Sequence, residues 1–349
     1  MSKFEFGCLP TAIGSMPHTN PEEACSLVLG YLPDIPAWPQ LPNRSLKESM
    51  YIQFSEGFPG IVTNGDKIHI EPSASFETGL EQIYMDCESN DFNKYDVSAE
   101  YAAGFHAFLA KAKKPRVVKG QIIGPITWGL TVTDQDGRAI LYDETLAEIM
   151  AKFLRLKASW QGNALREIST NTIILVDEPY LTSLGSAFVA IPKEKVTSLL
   201  EEVFKGIKGL KGVHCCGNTD WPILLGTTID ILSFDTYNYA ASLSIYPNEV
   251  KSFLIRGGTI AWGIVPNSED ALAKESSSSL YDRLGEAMAP VTRNGIKFKQ
   301  ILAQGLITPS CGLANLSPEA ASQALELAAK LSDSLRRKYS IYSQLQNSL

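Results

Sequence analysis

The sequence predicts an α/β chain, a (β/α)8 TIM barrel with an accessory β-hairpin, and two observations carry that reading. Short apolar runs rich in β-formers alternate with helical stretches, at residues 11–14, 116–124, 172–176, 212–216, 231–234, 259–265 and 306–311. That alternation is the pattern of parallel βα units. The chain also has 349 residues, 44% of them hydrophobic, with no long linker and no internal repeat to divide it. One barrel of residues 1–349 accommodates that length. A doubly wound open sheet is the rival topology.

Seven strands leave a barrel one short. Residues 37–41 are the candidate eighth, bracketed by prolines that cannot donate to a ladder. Helices fill the gaps. Val196, Leu199, Leu200, Val203 and Phe204 recur on one helical face, and Leu146, Ile149, Met150, Phe153 and Leu154 repeat that spacing behind Asp143, an expected N-cap. Ser317-Pro318-Glu319 reads as N-cap, first-turn proline and acidic first turn of the C-terminal helix. Residues 58–72 read as a hairpin about Asn64-Gly65, a type I′ dipeptide, near a barrel mouth or an interface. Ser276–Ser279 reads as a polar loop or a helix start.

A formal charge of −7 disfavours a general nucleic-acid binder, since the phosphate backbone would be repelled. No apolar run approaches the roughly 18 residues of a membrane span, and the first residues lack the apolar core of a secretory signal. A cytoplasmic protein with reduced thiols is expected. Its six cysteines are then packing residues, ligands or nucleophiles.

In a barrel, functional groups gather at the C-terminal ends of the strands. Strand alternation puts His214 and Cys216 on one face and Cys215 on the other. An imidazole and a thiolate on one inward face can hold zinc; Cys311, at the last strand end, can complete the set, and Asp235 can add a weaker oxygen ligand. The alternative is ordinary core packing, which is the reading for Cys8, Cys25, Cys87 and Cys215. In Asp177-Glu178, alternation turns one carboxylate to the mouth and the other away. The inward one can bind an ammonium or act as general base, or it can cap a loop. His69 and His106 have no partners in sequence and receive no role.

These motifs in this order resemble the catalytic barrel of cobalamin-independent methionine synthase. That barrel belongs to a broader group with uroporphyrinogen decarboxylase and the corrinoid-dependent thiol methyltransferases. The resemblance runs from Thr11-Ala12-Ile13-Gly14-Ser15 through Lys119-Gly120, Gly124-Pro125-Ile126-Thr127, Asp177-Glu178-Pro179 and His214-x-Cys216 to Ser310-Cys311-Gly312. It implies His214, Cys216 and Cys311 as zinc ligands. The family's acidic ligand, usually glutamate, falls at Asp235, one methylene shorter. It also implies Ser15, Asp177 and Glu48 around the amino-acid end of homocysteine, whose zinc-activated thiolate takes a methyl group to give methionine.

Two departures bear on the methyl donor. Full-length folate-dependent enzymes have two barrels, and they place a histidine in the strand before the last to help protonate the folate nitrogen. Residues 261–266 read Ala-Trp-Gly-Ile-Val-Pro. The expected donor is therefore a methylated corrinoid, carried on a protein, whose Co(I) leaves without a proton. The open alternatives are a coenzyme M-type thiol methyltransferase, a methyltetrahydrofolate-dependent methionine synthase, a porphyrin decarboxylase and a non-catalytic zinc protein.

Overall fold

A computed structural model describes residues 5–186 and 189–341. Ten strands appear: β1 (Leu9–Pro10), β2 (Ile61–Asn64), β3 (Lys67–Ile70), β4 (Val118–Ile123), β5 (Val132–Thr133), β6 (Thr172–Asp177), β7 (Leu210–Cys215), β8 (Ile231–Phe234), β9 (Thr259–Val265) and β10 (Gly305–Pro309). Seven form one curled parallel sheet in the order β1-β10-β9-β8-β7-β6-β4. Helices between successive strands cover its outside, as parallel connections require.

The two edges of this sheet meet residues 36–40. Lys119 N–H of β4 donates to Pro36 O (2.9 Å) and Trp38 N–H to Lys119 O (3.3 Å). Gln40 N–H donates to Gly14 O (3.0 Å), and Met16 N–H to Gln40 O (2.8 Å). The segment makes isolated parallel bridges to both edges rather than a continuous ladder. Pro36 and Pro39, which have no N–H, account for that. The first strand also differs from expectation. It spans Leu9–Pro10, and after the Thr11 N–H bond to Ile307 O (2.9 Å) the chain leaves β10 for Gln40.

Strand alternation sorts the core into two parts. Phe6, Leu9, Ile35, Val117, Ile173, Leu175, Leu210, Ile231, Ala261 and Leu306 form a small cluster inside the curl. Ile174, Val176, Val213, Leu232, Ile260 and Ile307 belong to the larger cluster shared with the helices. Cys8, Cys25, Cys87 and Cys215 are all buried in that outer cluster, which is the packing role expected of them.

Local signals act as expected at several helix starts. Asp143 Oδ1 accepts from Leu146 N–H (2.9 Å) at the start of the helix Glu144–Leu165, and Ser317 Oγ accepts from Ala320 N–H (3.3 Å) at the start of Pro318–Tyr339. Ser276 and Ser279 form a reciprocal capping box, so this stretch is a helix start and not a loop. The hairpin is β2–β3, extended by β5. Its register pairs Asn64 with Lys67, so the turn centres on Gly65-Asp66, one residue later than expected. Only Gly65 has positive φ (63°), which fits glycine at the first central position, as in type II′, and not type I′. Among the described residues, no helix is long and apolar enough to cross a membrane.

Candidate active site

Inward residues on adjacent strands continue past the small apolar cluster into a polar layer. In β6 the inward series is Ile173, Leu175, Asp177; in β7 it reaches His214 and, one residue past the strand, Cys216. Asp177 and His214 are register partners. Cys311 follows β10 by two residues. One ligand atom each of His214, Cys216 and Cys311 lies within 4.8 Å of the others.

The histidine is set by its neighbour strand. His214 Nδ1 is 3.0 Å from Ser233 Oγ of β8. Nε2 is buried and has no hydrogen-bond partner. With the ring proton on Nδ1, Nε2 presents a bare lone pair, the arrangement that second-shell bonds give metal-binding histidines. The hydrogen bond from Cys311 holds the Cys216 thiol down at about 4, and His214 adds to this. The same bond, together with burial, raises Cys311 well above its ordinary value. An orphaned nitrogen and two sulfurs suit a borderline-soft divalent ion such as zinc.

Asp235 stands outside this group. Its Oδ1 accepts from Asn238 N–H (2.9 Å) and its Oδ2 from Asn238 Nδ2 (2.7 Å), so it caps the short helix Thr236–Tyr239. The expected fourth ligand is thus committed locally, and among the described residues three protein ligands come together.

A cavity of about 300 Å³ opens beside the trio. Ser15, Glu48, Asp177, His214, Cys216 and Cys311 all line it. Asp177 is 6% exposed, its Oδ1 has no partner, and burial raises its carboxyl to about 6 against the opposing pull of His214 and Lys119. Glu48 is fully buried; Arg44 binds its Oε1 (2.7 Å) while Oε2 is unpartnered. Burial raises Glu48 as well, with Arg44 opposing. Two carboxylates thus each present a bare oxygen near one cavity. Ser15 sits against Gly312, where an added Cβ would lie 2.0 Å from Ser15 Oγ. Glycine after Cys311 is what admits the serine hydroxyl there.

Glu178 takes the other role foreseen for the acidic pair. It accepts from Ile126 N–H (2.9 Å), Thr127 N–H (2.8 Å) and Thr127 Oγ (2.6 Å), at the start of the helix Pro125–Thr131. A Cβ on residue 124 would lie 2.1 Å from the Glu178 carboxyl carbon, which explains the Gly124-Pro125 pair. Gln40, Tyr51 and Asn267 are among the cavity residues that were not foreseen. Asn267 stands two residues past β9, where strand-end position was a usable signal, and its Oδ1 accepts from Ser310 Oγ (3.0 Å). Gln40 falls near the end of the expected eighth strand, where position was again a usable signal, whereas Tyr51 lies on the connection before β4 and carried none.

No protein-family model matches the sequence, and no curated protein matches it. Solved structures do match. A B12-independent methionine synthase from Shewanella sp. W3-18-1, in complex with selenomethionine, superposes with a TM-score of 0.61 at 19% identity, over 95% of this chain and 99% of that one. A Listeria monocytogenes protein assigned as a vitamin-B12 independent methionine synthase gives 0.55 at 16% identity, over 90% and 86%. A methyltransferase from Methanosarcina mazei gives 0.50 at 11%, over 96% and 95%. Over nearly its whole length, the chain has the fold of these methionine synthase-like proteins.

Proposed function

We propose that the chain is a zinc-dependent methyltransferase of the core methionine synthase type, built on a single (β/α)8 barrel whose eighth strand is the seam at residues 36–40. Its acceptor is homocysteine, its product methionine, and its donor a methylated corrinoid carried on a partner protein. One observation carries this reading. The His214, Cys216 and Cys311 trio lines one cavity with Asp177 and Glu48, each of which has an unpartnered carboxylate oxygen. A soft metal site beside paired acceptors suits a ligand with a thiol at one end and an ammonium at the other. The selenomethionine bound by the Shewanella protein is in keeping with that shape.

A zinc ion held by His214, Cys216 and Cys311 would keep the acceptor sulfur a thiolate at neutral pH. Ser233 orients the His214 ring, and the Asp235 cap leaves the fourth place to the acceptor. Asp177 and Glu48 accept from its ammonium, and Ser15 flanks its amino-acid end. A methylated corrinoid would supply the methyl group, the S–C bond forming as the cobalt–carbon bond breaks and its electron pair leaving with Co(I).

The names of the Shewanella and Listeria proteins favour a second donor, methyltetrahydrofolate. The Shewanella chain is covered to 99%, so a one-barrel length does not separate the donors. The local chemistry favours the corrinoid: among the described residues, His214 is the one imidazole lining the cavity, and it belongs to the trio. The test is methionine formation from homocysteine with each donor. Transfer from methyltetrahydrofolate with none from methylcobalamin would reject the corrinoid. Transfer to mercaptoethanesulfonate in preference to homocysteine would reject the acceptor.

A further inference from the structure

Lys119 belongs to β4 and points into the curl, in the inward series of Val117 and Gln121. It is 1% exposed. Burying an ammonium is costly unless nearby groups compensate it. Lys119 Nζ donates to Ile13 O (2.6 Å) and to Gln121 Oε1 (3.2 Å), and no described carboxylate pairs with it within 4.0 Å. Burial pushes Lys119 down to about 8, with the charge of Asp177 acting against it.

Its contacts reach the walls around the acidic end of the cavity. Ile13 and Ser15 flank Gly14, whose carbonyl receives the Gln40 N–H. Gln121 Nε2 donates to Trp38 O (3.0 Å), and Gln121 packs so close to Gly14 that a Cβ there would lie 2.6 Å away. The Lys119 backbone itself holds Pro36 and Trp38. One side chain therefore ties the Ile13–Ser15 wall to β4.

We propose that Lys119 is a positioning residue for the amino-acid end of the acceptor: its Nζ bond to Ile13 O fixes the wall that carries Ser15 at that end of the cavity. The inference rests on the homocysteine reading above and deepens it. It implies that Lys119 matters for a thiol with an α-ammonium and not for the same thiol without one.

The experiment compares homocysteine with 4-mercaptobutyrate, which lacks only the amine, in the zinc-loaded wild type, Lys119→Met and Lys119→Gln. The glutamine variant keeps a donor for the Ile13 carbonyl and guards against a methionine variant that does not fold. Steady-state kinetics are read with calorimetric homocysteine affinity and zinc content. Homocysteine KM and Kd should rise about tenfold or more with kcat within about twofold. Values for 4-mercaptobutyrate and the zinc content should be unchanged. Equal losses for both thiols would make Lys119 merely structural and overturn the proposal, as would no change for either. A wild type that does not prefer homocysteine would instead overturn the acceptor reading on which the proposal rests.

Discussion

Asp177 and Glu178 are neighbours at the end of β6, both deeply buried, and they lie on opposite faces of the sheet. On the inner face Asp177 has a bare oxygen, a lysine that does not pair with it and a cavity beside it. On the outer face Glu178 takes three hydrogen bonds from one helix start. The cysteines one strand over divide the same way. Cys215 packs among outer apolar side chains, with its thiol donating to Gly217 O (3.6 Å), while Cys216 meets His214 and Cys311. At this strand pair the outward Glu178 and Cys215 have hydrogen-bond partners, while the inward Asp177 and His214 each keep an unpartnered atom. Buried groups without partners are the ones to examine for function.

Substitutions on the two faces should therefore fail differently. The largest effect is expected from His214→Ala or Cys311→Ala, which should abolish bound zinc and reduce methyl transfer about a thousandfold or more. Metal analysis with activity checks this, and retention of both would sink the site. Next, Asp177→Asn should reduce kcat/KM for homocysteine about a hundredfold while zinc content stays intact, since it removes an ionised acceptor from a buried site. Kinetics with homocysteine and 4-mercaptobutyrate separate this from general damage.

On the outer face, Glu178→Gln should lower stability by about 1–3 kcal/mol without loss of zinc, measured by denaturant unfolding. Burial raises Glu178 from 4.5 to about 7. An acid with a raised folded pKa stabilises most below its unfolded value and loses that contribution as pH rises through the folded one. The gap between wild type and the glutamine variant should thus narrow from about pH 4.5 to above 7, and a gap that widens would contradict the assignment. Smallest of all, Cys215→Ala should cost about 1–2 kcal/mol with full metal content. Loss of zinc in that variant would erase the distinction between the faces.

Much of this was legible because strand alternation and helix caps are local. Alternation alone separates His214 and Cys216 from Cys215, and Asp143 and Ser317 mark their helices directly. What was not legible depends on distant partners. Glu178 finds its donors at Ile126 and Thr127, some fifty residues away. Asp235 is drawn off by Asn238, whose amide competes with any metal. Lys119 sits in a fully buried strand, and the pattern there says nothing of the Ile13 carbonyl that accepts its hydrogen bond. Prolines obscured residues 36–40, since bridges replace a ladder there.

The central claim is that three protein ligands hold zinc and leave one place for the acceptor sulfur. Zinc-edge X-ray absorption of the loaded protein, before and after adding homocysteine, tests it most directly. The ligand trio implies two sulfurs and one imidazole nitrogen from the chain. A third sulfur should enter the shell with homocysteine. A shell that does not change on adding homocysteine, or a chain that binds no zinc, would contradict the account.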